Sequence, residues 1–149
     1  APDFTLPSTK GSISLGELLK TKSVLLAFYT EDHTLECQGE LTLLKEEYSI
    51  FEYLEAEVLG IGVDTLESHR ALLKRLGSLP YPLVSVKGLT LCATYGVLDK
   101  TGKRYRRAVY IINRWGNIAL IIPEFEPSNQ DQFMYILQAL GLNVLDESL

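Results

Sequence analysis

A short polar segment of the chain combines a thiol, a hydroxyl and the start of a predicted helix. Residues 30–37, TEDHTLEC, directly follow the apolar run 24–29, and Thr34 stands three positions before Cys37. A cysteine acts as a nucleophile only as the thiolate, and with a pKa near 8.5 it is only about 3% ionised at neutral pH. Lowering this pKa to about 6, where most of the thiol is ionised, requires about 3.4 kcal/mol. A helix N-terminus stabilises an anion by only up to about 2 kcal/mol, so a cation beside the sulfur is also needed. Cys37 is therefore a candidate nucleophile whose reactivity depends on its surroundings.

Other interpretations of the same segment stay open. Cys37 could be a small buried residue at a helix start, and Thr34 could simply cap that helix. The neighbouring acids Asp32 and Glu36 would oppose a thiolate unless they point into water. The residues alone therefore do not decide between a reactive and a structural cysteine.

The histidines and cysteines are too scattered to predict a metal or dithiol site. The two cysteines, Cys37 and Cys92, form neither a CxxC pair nor a clustered zinc site. We expect His33 to be solvated on its loop and His69 to be exposed. No glycine-rich phosphate-binding motif is present either. The sequence therefore predicts no metal or organic cofactor.

The composition is that of one ordinary globular domain, residues 1–149, with a tail at 143–149 that we expect to be frayed. The formal net charge is −5 and the sequence pI is about 5.0, which argues against a basic surface for nucleic acid or for an anionic membrane. No apolar run approaches the roughly 18 residues that a transmembrane helix needs. With isolated cysteines and no recognisable leader, the protein is expected in the cytoplasm.

Hydrophobic periodicity predicts strands and helices in alternation. A Ser/Thr/Gly turn within residues 4–15 predicts an N-terminal β-hairpin. Short apolar runs predict further strands at 24–29, 58–63, 83–86, 108–112 and 118–122. Apolar residues at intervals of three or four predict helices at 37–54, 68–76, 89–95 and 128–140. The first of these should be continuous, and Ser128 should cap the last. The fold class is therefore α/β, with a mixed sheet covered on both faces and an antiparallel hairpin near its end.

The segment around Cys37 resembles the peroxidatic segment of peroxiredoxins, whose pattern is Pro-x-x-x-Thr-x-x-Cys. Thr34 and Cys37 match that pattern and are followed by QGEL. Further segments are similar to the subgroup typified by bacterioferritin comigratory protein, in the order APDFTLPSTKGSISLGELL, VLGIGVDTLESH, LPYPLVSV, CATYGV and RRAVYIINRWGNI. The resemblance extends to about Leu142. It implies a thioredoxin-like fold, with a central mixed β-sheet flanked by helices, and a thiol-dependent peroxidase of antioxidant defence.

The resemblance assigns roles to several side chains. It implies that the Cys37 thiolate attacks the peroxide and that the Thr34 hydroxyl orients it. Arg107 would supply the cation, because it precedes the strand AVYII at the spacing of the family's arginine. Glu40 would position an arginine. Arg106 would point to the other face of the strand, since side chains alternate.

Two positions depart from the family's pattern. The motif proline is Thr30 here, and the aspartate that closes the strand after the arginine is Asn113, which we expect to be structural. By resemblance the proline shields the reacting cysteine. Thr30 therefore leaves open an alternative function, a catalytically weak redox-sensing or binding protein with the same fold. A thioredoxin-like disulfide oxidoreductase is a third interpretation, which the missing CxxC disfavours.

The resemblance also bears on the partners of the reaction. It implies hydrogen peroxide or an alkyl hydroperoxide as substrate, with oxidised Cys37 restored by an external thiol reductant such as a thioredoxin-like or glutaredoxin-like protein. Cys92 could instead resolve the oxidised Cys37 as a disulfide. It stands where the family usually has a small buried alanine, which favours burial over resolution. Both a monomer and a homodimer stay open.

Overall fold

The computed structural model describes residues 1–29, 32, 34–86, 90–96 and 107–142, without the side chains of Glu36, Thr90 and Cys92. The strands are β1 (Thr5–Ser8), β2 (Gly11–Ser14), β3 (Ser23–Phe28), β4 (Ala56–Gly62), β5 (Leu83–Ser85), β6 (Ala108–Ile112) and β7 (Ile118–Ile122). The helices are α1 (Leu15–Leu18), α2 (Leu35–Glu46), α3 (Tyr48–Tyr53), α4 (Leu66–Leu76), α5 (Thr90–Tyr95) and α6 (Gln130–Ala139). Among them no helix is long and apolar enough to cross a membrane.

The strands form one mixed seven-stranded sheet in the order β2-β1-β5-β4-β3-β6-β7. Strand β4 pairs in parallel with β3 and with β5, so each of these connections crosses over through helices. The pairs β1 with β2, β1 with β5, β3 with β6 and β6 with β7 are antiparallel. The predicted mixed sheet, its N-terminal hairpin and its late hairpin are therefore confirmed.

Strand β3 lies between β4 and β6, and its side chains alternate between two apolar layers. On one face Leu25 belongs to a core cluster that includes Cys37 and Leu41 of α2. On the other face Leu26 and Phe28 pack with residues of α1 and α5. Burial on both faces explains why this strand is a continuous apolar run rather than an alternating one. The loop before α2 directly follows the end of β3.

The predicted continuous helix after Cys37 is wrong. The chain leaves helical geometry at Glu47, with φ −98° and ψ 11°, and α3 starts at the next residue. Around this point the N–H of Ile50 donates to the carbonyl of Glu47, three residues earlier, at 3.1 Å. This is the 3₁₀ pattern, which winds more tightly than the α-helix. Leu44 and Phe51, on either side of the break, are both fully buried. The apolar periodicity therefore continues through a break that it does not reveal.

Local hydrogen bonds explain the remaining helix ends and turns. Asn129, rather than the predicted Ser128, caps α6, because its side chain accepts the N–H of Gln132 at 3.1 Å. Helix α4 ends as predicted before Gly77, which adopts a left-handed φ of 76°. Asn113 holds the turn between β6 and β7, since its side-chain oxygen accepts two backbone N–H groups of that turn. Its predicted location at a turn is confirmed.

Candidate active site

Cys37 is the third residue of α2, in the first turn where the sequence predicted it. Its side chain is 1% exposed and belongs to the core cluster beneath the helix. Thr34 is the N-cap, and its Oγ1 accepts a hydrogen bond from the Cys37 N–H at 3.3 Å. The capping interpretation of Thr34 is therefore confirmed. Capping uses an oxygen lone pair and leaves the hydroxyl proton for a second acceptor, so it does not exclude contact with a substrate.

Glu40 lies one turn after Cys37 on the buried side of α2, with no exposed surface. Burial raises the pKa of Glu40 well above its usual value, and Cys37 raises it further. Arg107 lowers the pKa of Glu40, but by less than burial raises it. Among the residues that the structure describes, neither carboxylate oxygen of Glu40 has a hydrogen-bond partner. Burial and Cys37 thus act against the ionised form of Glu40, and Arg107 acts in its favour.

Arg107 stands directly before β6 and brings a positive charge to the same region. Its side chain is 24% exposed. Because Glu40 interacts with both Cys37 and Arg107, the structure brings these three predicted residues together. Within the described part of the chain, the ion pair of Arg107 is made with Glu126, at 3.5 Å between Nη2 and Oε1. A pocket of about 180 Å³ lies beside the arginine and is lined by Glu124, Phe125 and Glu126.

Glu126 is a residue of this region that the sequence did not indicate. It lies in the loop after β7, and nothing in the local pattern IIPEFEPS connects it to an arginine. The connection comes from the backbone, where the N–H of Phe125 donates to the carbonyl of Arg107 at 2.6 Å. This bond places the loop beside β6 and thereby the carboxylate of Glu126 beside the guanidinium.

Asp32 lies in the loop between β3 and α2, and its side chain is fully buried rather than directed into water. Its Oδ2 accepts a hydrogen bond from Ser68 Oγ at 2.8 Å and lies 2.7 Å from His69 Nδ1. Burial alone would raise the pKa of Asp32. The hydrogen bond and charge of His69, together with hydrogen bonds from Ser68 and Tyr29, outweigh burial and lower the pKa below its usual value. Asp32 is therefore an ionised group inside the protein at neutral pH.

His69 is buried, so the prediction of an exposed histidine is wrong. It has no exposed surface, and Nδ1 also lies 3.2 Å from the hydroxyl of Tyr29. The sequence held a signal for this burial, because His69, Leu72 and Leu76 recur at intervals of three and four along α4. Local periodicity could not show that an aspartate from another loop lies opposite the imidazole.

Several residues named from the sequence cannot be placed. Thr30, His33 and Arg106 lie outside the described residues. The backbone of Cys92 belongs to α5, as predicted, but its side chain is not among those described. Resolution by Cys92 therefore stays a prediction, as does the effect of Thr30 in the place of the motif proline.

Known proteins share both the sequence pattern and the arrangement of elements. The sequence model of the AhpC/TSA family matches residues 1–121 of the chain. The chain belongs to the AhpC/TSA family. Chloroplastic peroxiredoxin Q of Sedum lineare is 33% identical over 143 residues, which cover 93% of this chain and 76% of that protein. The chloroplastic 2-cysteine peroxiredoxin of Chattonella marina var. antiqua is 37% identical over 128 residues, which cover 79% of this chain and 65% of that protein.

Solved structures place this AhpC/TSA chain in the same fold. The crystal structure of peroxidoxin BcpB from Mycobacterium tuberculosis matches it with a TM-score of 0.82 at 26% identity, covering 94% of this chain and 92% of the other. The predicted thioredoxin-like peroxiredoxin fold is therefore confirmed. So is the predicted enzyme class, a thiol-dependent peroxidase of antioxidant defence. The comparisons do not favour the catalytically weak alternative.

Proposed function

We propose that Cys37 is the residue with which this peroxiredoxin reduces peroxides. The observation that supports this assignment is the position of its sulfur, buried in the first turn of α2 beside the N-cap Thr34. Glu40 connects the same turn electrostatically to Arg107. A thiolate at this point gains from the N-terminal end of the helix and from the guanidinium. A helix N-terminus and a nearby cation are the two contributions that a reactive Cys37 needs.

In the proposed reaction the Cys37 thiolate attacks one oxygen of hydrogen peroxide or of an alkyl hydroperoxide. The S–O bond forms while the O–O bond breaks, and the leaving oxygen takes the electron pair of the broken bond. That oxygen then takes a proton and departs as water or an alcohol. Cys37 remains as a sulfenic acid, oxidised by two electrons. The charge that develops on the leaving oxygen is what the surrounding donors have to stabilise.

Thr34 and Arg107 are the proposed donors to the peroxide. The Thr34 hydroxyl already accepts the Cys37 N–H, so its oxygen is held close to the start of the helix and its proton can be donated to a peroxide oxygen. Arg107 would stabilise both the thiolate and the leaving oxygen by charge. Burial of Glu40 acts against the carboxylate form that would neutralise this guanidinium. We therefore propose that Glu40 influences Arg107 without forming a close ion pair with it.

An external thiol completes the proposed cycle. It attacks the sulfur of the sulfenic acid and releases water, giving a mixed disulfide that a second thiol reduces back to Cys37. A thioredoxin-like or glutaredoxin-like protein supplies such thiols, and Cys92 is the internal alternative. Isolated cysteines suit a reducing compartment, which supports the cytoplasm as the location. The cycle itself requires only a monomer, and a homodimer is equally compatible with it.

Mass spectrometry of the reduced protein tests the assignment directly. The protein is treated with a stoichiometric amount of hydrogen peroxide in the presence of a sulfenic-acid trap, with Cys37→Ser and Cys92→Ser variants in parallel. A trapped adduct on Cys37, absent in Cys37→Ser and retained in Cys92→Ser, is the expected result. A Cys37–Cys92 disulfide in the wild type would make Cys92 the resolving residue. Cys37 that stays unmodified after minutes would overturn the assignment.

Thr30 provides a second test, because it stands where the family's motif has proline. If the present loop already supports catalysis, Thr30→Pro should change the rate of peroxide reduction little. A large gain in that variant would instead indicate that the natural loop is catalytically weak, as the sensing or binding alternative requires.

A further inference from the structure

A buried polar network joins the loop before α2 to the neighbouring helix α4. Its centre is Asp32, whose backbone N–H donates to Oδ2 of Asp64 at 2.8 Å. The backbone carbonyl of Asp32 accepts a hydrogen bond from Nε2 of Gln38 at 3.0 Å and a long one from Nη2 of Arg75 at 3.5 Å. Gln38 is the residue that directly follows Cys37. The backbone of Asp32 is thus tied to the turn after β4, to α4 and to the first turns of α2.

The side chain of Asp32 contacts two residues of α4 through its Oδ2 atom. Oδ2 accepts from Ser68 Oγ and lies 2.7 Å from His69 Nδ1, and the Tyr29 hydroxyl also hydrogen-bonds the carboxylate. Within the described residues, Oδ1 of Asp32 and Nε2 of His69 have no hydrogen-bond partner. A proton on Nδ1 of His69 suits this arrangement, since Nδ1 then donates to the carboxylate. The contacts of the carboxylate tie it to α4 and to the end of β3.

Gly62 of strand β4 has no side chain, and the rings of Tyr29 and His69 lie in the space that this leaves. A Cβ atom on Gly62 would stand 2.6 Å from Cζ of Tyr29 and 3.0 Å from Cε1 of His69. A side chain at this position would displace one or both rings. The network is therefore packed directly against the backbone of the sheet, with little room for its members to move.

Stability is a weak explanation for a buried acid with these partners. Replacing a buried charged pair by apolar residues of similar volume is often neutral or stabilising, so the presence of the pair does not by itself indicate a gain in stability. Asp32 stands two residues before Thr34 and five before Cys37. The backbone of Asp32 is hydrogen-bonded to Asp64 in the turn after β4 and to Gln38, the residue after Cys37. A displacement of Asp32 would therefore also move Thr34 and Cys37.

We propose that Asp32 and His69 are positioning residues, which hold the loop before α2 against α4 and so orient Thr34 and Cys37 for attack on the peroxide. This inference rests on the proposed function of Cys37. Neither residue takes part in the bond changes. Among the described residues, charged or titratable groups around the pair include Tyr29 directly after β3, Asp64 in the turn after β4 and Arg75 in α4.

The test compares two reactions of Cys37 in the same variants. Oxidation by hydrogen peroxide requires an oriented thiolate, whereas alkylation by iodoacetamide at alkaline pH requires only an ionised sulfur that the reagent can reach. Because Cys37 is 1% exposed, both reactions share the same need for access, and a loss confined to the peroxide reaction reports on orientation. For His69→Leu and Asp32→Asn we expect the peroxide rate constant to fall by about tenfold or more, since a misplacement of about 1 Å can cost up to 10²-fold. The alkylation rate at alkaline pH should change by less than about twofold, because it does not depend on orientation.

Conservative and structural controls separate positioning from general loss of stability. His69→Asn retains a donor near the place of Nδ1 and should recover most of the peroxide rate. Leu72→Ala removes a buried side chain of α4 outside the network and should lower the melting temperature without lowering the peroxide rate of the folded protein. If His69→Leu does not fold, Ser68→Ala, which removes one hydrogen bond to Asp32, should still lower the peroxide rate selectively.

Two results would overturn the inference. One is a folded His69→Leu, or Ser68→Ala in its place, that reacts with peroxide at the wild-type rate. The other is a loss of peroxide reaction matched by an equal loss of alkylation, which would indicate general damage. A wild-type protein whose Cys37 is not oxidised at all would contradict the proposed function instead.

Discussion

Glu40 lies one helical turn beyond Cys37, and after burial this cysteine makes the largest contribution to the raised pKa of Glu40. Arg107 acts in the opposite direction. The active-site region thus contains a thiol and a carboxyl that compete for the same cation. Because burial favours the neutral carboxyl, we propose that the charge of Arg107 acts mainly on the sulfur. We therefore propose for Glu40 a role other than that of an ion-pair partner of Arg107.

The first prediction concerns the stability of Glu40→Gln as a function of pH. The pKa of Glu40 is raised in the folded state, so the wild type gains stability from its bound proton below about pH 4, the unfolded value, and loses that gain as the pH rises toward the folded pKa. Glutamine does not titrate. The variant should therefore gain stability relative to the wild type as the pH rises above about 4.

Urea unfolding at a series of pH values measures this difference. Glu17→Gln is the matched control, because it makes the same exchange at a side chain that is 70% exposed and does not pair with Arg107. A stability difference between Glu40→Gln and the wild type that stays constant from acid to alkaline pH would contradict the prediction.

The second prediction concerns the cation. Arg107→Ala should lower the rate constant for oxidation of Cys37 by about 10²-fold, the usual effect of removing one donor to a developing anion. Arg107→Lys should recover only part of the rate, because it keeps the charge without the planar guanidinium. Stopped-flow measurement of peroxide consumption checks both variants. Arg114→Ala is the control, since Arg114 lies in the turn after β6 and pairs with Glu55; an equal loss there would indicate a non-specific effect of charge.

The third prediction concerns Glu126, which pairs with Arg107 at 3.5 Å. The pair is partly exposed and is expected to contribute no more than about 1 kcal/mol. Glu126→Gln should release the guanidinium and raise the rate of peroxide reduction by roughly two- to fivefold at low ionic strength, because about 1 kcal/mol corresponds to a factor of about five. The gain should shrink in high salt, where the wild-type pair is already screened. A slower Glu126→Gln enzyme would mean that this glutamate holds Arg107 in its productive position instead.

Features governed by local patterns could be predicted from the sequence. The continuous apolar run of β3 indicated a strand buried on both faces, and it is one. The threonine of TEDHTLEC indicated a helix cap, and Thr34 accepts the N–H of Cys37. The resemblance of this segment to peroxiredoxins then supplied the family. Each of these inferences depends on residues close together in the chain.

Contacts between distant segments could not be predicted in the same way. His69 is buried because Asp32 lies opposite it, and 37 residues separate the two. Glu126 reaches Arg107 because a backbone bond from Phe125 joins two segments that are unrelated in sequence. These contacts depend on the three-dimensional arrangement of the sheet. They also make up much of the electrostatic environment of the site.

The last prediction separates the two roles of Thr34. Thr34→Val keeps the shape of the side chain but removes the cap, so it should cost about 1 kcal/mol of stability and also lower the peroxide rate. Thr34→Ser keeps the hydroxyl and should retain most of both. Asn129→Ala removes the cap of α6, far along the chain, and should cost a similar amount of stability without slowing the reaction. If Thr34→Val loses stability but reacts with peroxide as fast as the wild type, the hydroxyl is only a cap. If its rate falls while Asn129→Ala reacts normally, the hydroxyl contributes to the chemistry, because the loss of a helix cap alone does not explain the difference.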